Sequence, residues 1–278
     1  MRVTIFGATG LLGKPLIRDW HNDAVTGLSS RDVDIRDADR IRRVVQETNP
    51  DWIVLAAAYT DVDGCESNRE LAFAVNRDGA VNVATAAKEV GARLMFLSSD
   101  YVFNGKKTTP YEVDDPRTPQ SVYGRTKAEA ELRLLELMPE CCIVRTSWLF
   151  GAGGKCFPDT ILKLAVNRRA LDVVNDQRGC PTYTNDLAHT IIQLSRKNVK
   201  GIVHATNAED CTWFDFAREI VHRSGLGTDV RPVSSQQMAR PAPRPAYSVL
   251  SPASLHNFGI EMPSWQDALQ RYLRERQN

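Results

Sequence analysis

Gly7, Gly10 and Gly13 stand three residues apart directly behind the apolar run Val3, Thr4, Ile5, Phe6. Such a run reads as a buried strand, and residues 11–20 read as the helix that follows it. A strand passing through a tight glycine turn into a helix is how a parallel α/β unit opens. Gly7 permits the turn, Gly10 lets backbone approach a phosphate, and Gly13 lets the helix close on the sheet. Thr9, Leu11 and Leu12 fill the same turn and join the glycines as expected contacts of a dinucleotide. Pro15 requires the helix to begin near Leu11, so that its missing N–H falls in the first turn.

The alternation continues through the first half. Strands are expected at 24–27, 52–55, 93–97 and 142–145, and helices at 38–47, 71–90 and 122–137. Pro50 and Pro139 each stop a helix before a strand. Beyond Trp148 the pattern loosens into a helix at 157–167, a strand at 171–174 and a helix at 186–195. A strand at 203–206, a helix at 213–224, a Pro-rich stretch from Arg240 to Pro245 and a last helix at 265–273 follow. The expected fold is a Rossmann-type doubly wound parallel sheet over residues 1–147, also receiving the segment near 171–195. A smaller α+β unit over 148–278 leans on the carboxyl edge of that sheet, where such folds bind ligands.

Thirty-five basic and 34 acidic residues give a net charge of +1, which offers no electrostatic pull toward nucleic acid or a membrane surface. No apolar run approaches the roughly 20 residues of a membrane span. Met1 and Arg2 lead straight into the first strand, so no leader is expected and the cytoplasm is the expected compartment. Cys65, Cys141, Cys142, Cys156, Cys180 and Cys211 show no Cys-x-x-Cys spacing and read as buried, reduced side chains. The five histidines form no ligand set, and no metal is expected.

Tyr123 and Lys127 lie four apart, so a helix carries both on one face. A cation beside a phenol is expected to lower its pKa by about 1–3 units and ready it as a proton donor in carbonyl reduction. Ser99, ending the fourth expected strand, delivers a hydroxyl to the same edge, suited to hold the reacting oxygen. At the end of the second strand an acidic residue would mark NAD. Ser29, Ser30 and Arg31 stand there instead, a set suited to a 2′-phosphate, so NADPH is favoured and NADH remains possible.

Longer blocks carry a resemblance. Ala56-Ala57-Ala58-Tyr59-Thr60-x-Val62-Asp63, Ser99-Asp100-Tyr101-Val102-Phe103-x-Gly105 and Val122-Tyr123-Gly124-x-Thr126-Lys127 follow one another in order. Arg145-Thr146-Ser147-Trp148, Asp176-Gln177-x-Gly179-x-Pro181-Thr182 and Arg244-Pro245-x-x-Ser248-x-Leu250 complete the set. The chain resembles the extended short-chain dehydrogenase/reductases, and within them the dTDP-4-dehydrorhamnose reductase family, over nearly its whole length. The resemblance implies NADPH-dependent reduction of the 4-keto group of a nucleotide-linked 6-deoxysugar, dTDP-4-dehydro-L-rhamnose being the foremost substrate. It implies that Ala58 and Thr60 line the nicotinamide-ribose side, that Ala56 and Ala57 also meet the cofactor, and that Asp34 and Ile35 flank the adenine. It implies further that Val62, Asp63, Ser99, Asp100, Tyr123 and Trp148 meet the sugar nucleotide, with Arg240 and Arg244 as a clamp on its diphosphate. Some members of the family pair through a metal held by acidic residues, one of them near position 15; Pro15 stands there, leaving monomer or homodimer open.

Two enzyme classes and one binding role compete with this reading. Sugar-nucleotide dehydratases of the superfamily place Glu after the Asp of the strand-four motif, where this chain has Tyr101. Epimerases hold NAD tightly, which fits Ser29-Ser30-Arg31 poorly. Regulatory proteins similar to the β subunit of methionine adenosyltransferase keep the fold and the cleft without turnover.

Overall fold

The computed structural model describes residues 1–21 and 23–276. Arg2–Phe6 (β1), Ala24–Leu28 (β2), Trp52–Leu55 (β3), Arg93–Ser99 (β4) and Cys142–Thr146 (β5) join Gly201–His204 in one parallel sheet. Gly201–His204 pairs with β5, and from β5 the order runs β4, β3, β1, β2. The chain winds outward on one side of β1 to β2 and on the other to β3. The crevice at the carboxyl ends of β1 and β3 is therefore the switch point where open sheets take ligands.

Both faces of the sheet are apolar. Val3, Ile5, Val54, Met95 and Val144 pack with Leu16, Leu187 and Ile191 on one side. Phe6, Ile53, Leu55, Phe96 and Ile143 pack with Ile41, Val83 and Leu134 on the other. A buried side chain of this size is worth about 1.5–3 kcal/mol, against about 1 kcal/mol for a helix cap. Two-sided burial thus decides where the strand ends fall, and the strands match the expected ones within two residues.

Three expectations change. The first helix begins at Gly13, not Leu11, because the Gly10 N–H turns back onto the Gly7 carbonyl (3.0 Å). Gly13–Asp19 still keeps Pro15 in its first turn, where an N–H has no helical partner. The single helix expected at 71–90 is broken into Arg69–Phe73, a π-helical turn at Ala74–Asp78 and Gly79–Glu89. Its cause is Asn76, buried within the turn, whose side chain bonds both the N–H and the carbonyl of Tyr59 (2.7 and 3.0 Å). A further short helix, Val62–Ser67, is nucleated by Asp61, which accepts from the Gly64 N–H (2.9 Å).

In the second half, Thr184–Arg196 packs its apolar stripe on the Val3/Ile5 face of the sheet. The neighbouring strand Ala170–Val174 instead pairs with Asp229–Val233, outside the sheet. The strand that does return is Gly201–His204, two residues upstream of the expected position. Phe150, Tyr183, Phe216, Trp265 and Tyr272 hold a separate core with Ile161, Leu171 and Leu269. All six cysteines are buried and free. Among the described residues no helix is long and apolar enough to cross a membrane.

Candidate active site

The glycine turn folds onto itself. Gly7 has φ +93°, and its N–H and that of Ala8 both donate to the Leu28 carbonyl at the end of β2 (2.8 and 3.0 Å). A Cβ on Gly7 would stand 2.7 Å from the Ala57 nitrogen, and one on Gly13 only 2.1 Å from the Gly7 carbonyl oxygen. Gly13 was expected to close on the sheet, but its contact is the turn itself. Only glycines leave this backbone bare and close to β3, and it forms one wall of a cavity of about 740 Å³.

That cavity takes in Thr9, Leu11, Leu12, Ser29, Ser30, Asp34, Ile35, Ala56–Ala58 and Thr60, together with the three glycines. Arg31 is not among its walls. Arg36, which the sequence reading passed over, lines it instead. The reason is local. Asp32 accepts from both the N–H and the hydroxyl of Ser29 (2.8 and 2.7 Å), curling the loop, and Arg36 folds back onto Asp34 (2.5–3.0 Å). The signal was visible as a second arginine five residues on.

The expected trio meets in the same cavity. Ser99 closes β4, and Ser121 caps the helix Val122–Leu137 by accepting from the Gly124 N–H (3.1 Å). A Cβ on Gly124 would stand 2.2 Å from the Tyr101 carbonyl oxygen, so glycine here lets the helix start press against the segment after β4. Tyr123 meets the Tyr101 ring edge-to-face at 5.7 Å. Thr126 donates to the Tyr123 carbonyl (2.7 Å) and accepts from Asn76 (3.0 Å). One buried amide thus ties the helix of Tyr123 and Lys127 to the loop after β3, a link that sequence spacing gave no sign of.

Lys127 does not act as expected. Its ammonium donates to the Leu97 carbonyl (2.5 Å) and sits 4.1 Å from the centre of the Phe96 ring. Burial pulls it down to about 7, with Glu131 resisting. The Tyr123 phenol is raised, not lowered, first by burial and then by the charge of Asp100, with the Ser99 hydroxyl opposing. The protein's own groups therefore keep the phenol protonated, the form that can give a proton. Asp100 is buried and pushed up to about 6 by desolvation; its Oδ1 accepts from the Ser99 hydroxyl (2.8 Å) while Oδ2 has no partner.

On the far wall stands Trp148, at φ +47°, a conformation rare for a bulky residue. Its indole stacks on Trp213 at 3.6 Å and 8°, and both rings line the cavity. Trp213 carried no signal in the sequence. Lys155 also lines the wall, and Gly151, Gly153 and Gly154 just before it marked a loop that could close on the glycine turn. Val62 reaches the cavity; Asp63, Arg240 and Arg244 do not. Arg244 grips Asp63 with both arms (2.5 and 2.9 Å), Arg240 approaches the same carboxylate (3.6 Å), and the Ala242 N–H donates to it (3.1 Å). The arginines expected on a diphosphate are drawn onto the chain's own carboxylate.

The family described as RmlD substrate binding domain matches residues 1–278. The spore coat polysaccharide biosynthesis protein SpsK of Bacillus subtilis is 40% identical over 277 residues, 99% of this chain and 98% of that protein. A crystal structure of a dTDP-4-dehydrorhamnose reductase from Clostridium acetobutylicum superposes with a TM-score of 0.98 at 36% identity, covering 100% of both chains. The dTDP-4-dehydrorhamnose reductase of Bacillus anthracis, solved in complex with NADP, gives 0.96 at 38% identity over 99% of each.

Proposed function

The chain belongs to the RmlD substrate-binding-domain family, and from that premise we propose that it reduces dTDP-4-dehydro-L-rhamnose to dTDP-L-rhamnose with NADPH. It is an NAD(P)H-dependent oxidoreductase of the dTDP-4-dehydrorhamnose reductase type, acting on the 4-keto group of a sugar nucleotide. The observation that carries the reading is convergence: the glycine turn, Ser99, Tyr123 and Lys127 all open on one cavity.

The residues fit a dinucleotide. The bare backbone at Gly7–Gly13, which a Cβ would fill, suits a pyrophosphate, and Ser29, Ser30 and Arg36 suit the phosphorylated ribose. When bound, the nicotinamide supplies the hydride. Tyr123, kept protonated, gives its proton to the carbonyl oxygen as that oxygen gains charge. Ser99 has one proton, now directed at Asp100; turned onto the substrate oxygen, it orients the ketone. Lys127, fixed by Leu97, presents positive charge to the same corner. Residues 1–147 hold the cofactor, and residues from Trp148 onward close over the sugar nucleotide, with the Trp148–Trp213 stack as its flat platform.

Elimination, the dehydratase reaction, lacks its base. Tyr101 stands where those enzymes need a carboxylate, and burial pushes its phenol far above the ordinary value. The test is a panel of 4-keto sugar nucleotides followed by NADPH absorbance. Consumption with dTDP-4-dehydro-L-rhamnose is expected; binding of NADPH with no turnover on any member would overturn the reading in favour of a regulatory role.

A further inference from the structure

Beneath the cavity lies a charged cluster that the reaction as described leaves unused. Glu131 and Arg145 are both wholly buried. Glu131 Oε1 accepts from the Ser98 hydroxyl (2.5 Å) and from Arg145 Nε (3.0 Å). Its Oε2 accepts from Arg117 Nε (2.6 Å) and Arg145 Nη2 (2.7 Å). Arg145 Nη1 donates to the Val113 carbonyl (3.0 Å) and lies 3.3 Å from His204 Nε2. A buried ion pair is by itself a poor source of stability, since apolar residues of equal volume often serve as well. The place of this one matters more. Ser98 sits between Leu97, whose carbonyl holds Lys127, and Ser99, which lines the cavity.

We propose that Glu131 is a positioning residue for the reduction: it pins the end of β4 between the Leu97 carbonyl that holds Lys127 and Ser99, and it sets a buried negative charge one helical turn from Lys127. The proposal rests on the reductase reading above. Lys127 and Glu131 are four apart on one helix, so they share a face. Burial opposes the charge on Glu131, yet Arg145, Arg117 and Ser98 hold its carboxyl below the usual range, so the charge is present at neutral pH. Other groups around Lys127 do not replace it. Tyr123 on its own helix and Tyr101 after β4 are neutral phenols, both raised. Asp100, after β4, pushed up to about 6, is charged where Lys127 titrates, but its Oδ1 is committed to Ser99. Arg145 on β5 repels a cation, and His204 on the edge strand is held neutral, down to about 3, by burial and Arg145.

The sign of the effect follows. Lys127 titrates near 7 with Glu131 in place, and Glu131 is what raises it. Glu131→Gln keeps the size and an acceptor but removes the charge, so Lys127 loses its proton at lower pH. The basic limb of the kcat/KM profile is expected to move down by about one pH unit. Competitive acetylation of Lys127 with acetic anhydride, read by mass spectrometry, should show the same displaced midpoint without any turnover. Ser98→Ala cuts only the link to the strand and should lower kcat by about tenfold, with the labelling midpoint unmoved. Should Glu131→Gln fail to fold, Glu131→Gln/Arg145→Met is read against Arg145→Met alone, so that the charge of Glu131 is again the one difference. A labelling midpoint equal to that of the wild type overturns the electrostatic part, and unchanged kcat in Ser98→Ala overturns the positional part. A wild type that consumes no NADPH sinks the reductase reading instead, while the labelling still decides the role of Glu131.

Discussion

The end of β4 with its facing helix, and the Pro-rich stretch from Arg240 to Pro245, both carry charged or protic side chains expected at the substrate, but they use them oppositely. In the first, Ser99, Tyr123 and Lys127 all line the cavity, with the Ser99 hydroxyl on Asp100 and the Lys127 ammonium on the Leu97 carbonyl. In the second, Arg244 is tied by both arms to Asp63, and the same carboxylate holds the Ala242 N–H. The Arg244–Asp63 pair joins segments 181 residues apart in sequence. The strand end and its helix are held by backbone pairing and by the Glu131–Arg145 pair behind them, which leaves the groups on the cavity wall for chemistry. A loop without regular backbone pairing uses its charges to stay in place. A carboxylate of the same chain takes up Arg244 away from the cavity, whereas Arg36, although bonded to Asp34, still lines it.

The largest expected effect tests the first region. Tyr123→Phe should bind NADPH normally and lose kcat by about 100-fold or more, the scale of general acid catalysis. Turnover near that of the wild type would remove the phenol from the reaction and dissolve the contrast.

The second region is tested by a cycle of Asp63→Ala, Arg244→Ala and the double variant. Each single change should cost about 1–3 kcal/mol in thermal unfolding, the value of a charged hydrogen bond, and the double little more than either. KM for the sugar nucleotide should rise in parallel for Asp63→Ala and Arg244→Ala, since both release the same loop. A rise in KM confined to Arg244→Ala, with unchanged stability, would restore Arg244 as a diphosphate ligand and break the comparison.

The smallest effect concerns the cofactor. Arg36→Ala should erode the preference for NADPH over NADH by about fivefold. Arg31→Ala should leave it unchanged, because that side chain stands outside the cavity wall. The opposite order in kcat/KM for the two cofactors would return the 2′-phosphate to Arg31.

Much of this was legible in the residues. The strands of the sheet were, because burial on both faces leaves continuous apolar runs such as Trp52–Leu55. The helix Val122–Leu137 was, down to its ends, because Ser121 caps it and Pro139 follows it. The break at Ala74–Asp78 was not, because its cause, Asn76 bonding Tyr59 from 17 residues away, leaves no mark in local periodicity. Trp213 was not, because an aromatic residue opening an amphipathic helix reads as core until the ring it stacks on is known.

What the sequence determined by itself is therefore the local and periodic part: the glycine turn behind β1, the strand-end hydroxyl, and a phenol and an ammonium one helical turn apart. These follow from backbone sterics and from spacing along a single element, which distant residues do not alter. Only the tertiary structure decided the electrostatics. It turned Lys127 onto the Leu97 carbonyl, raised the Tyr123 phenol where a lowering was expected, and drew Arg244 onto Asp63. Charge interactions depend on burial and on which partner arrives first, and both are set by segments far apart in the chain.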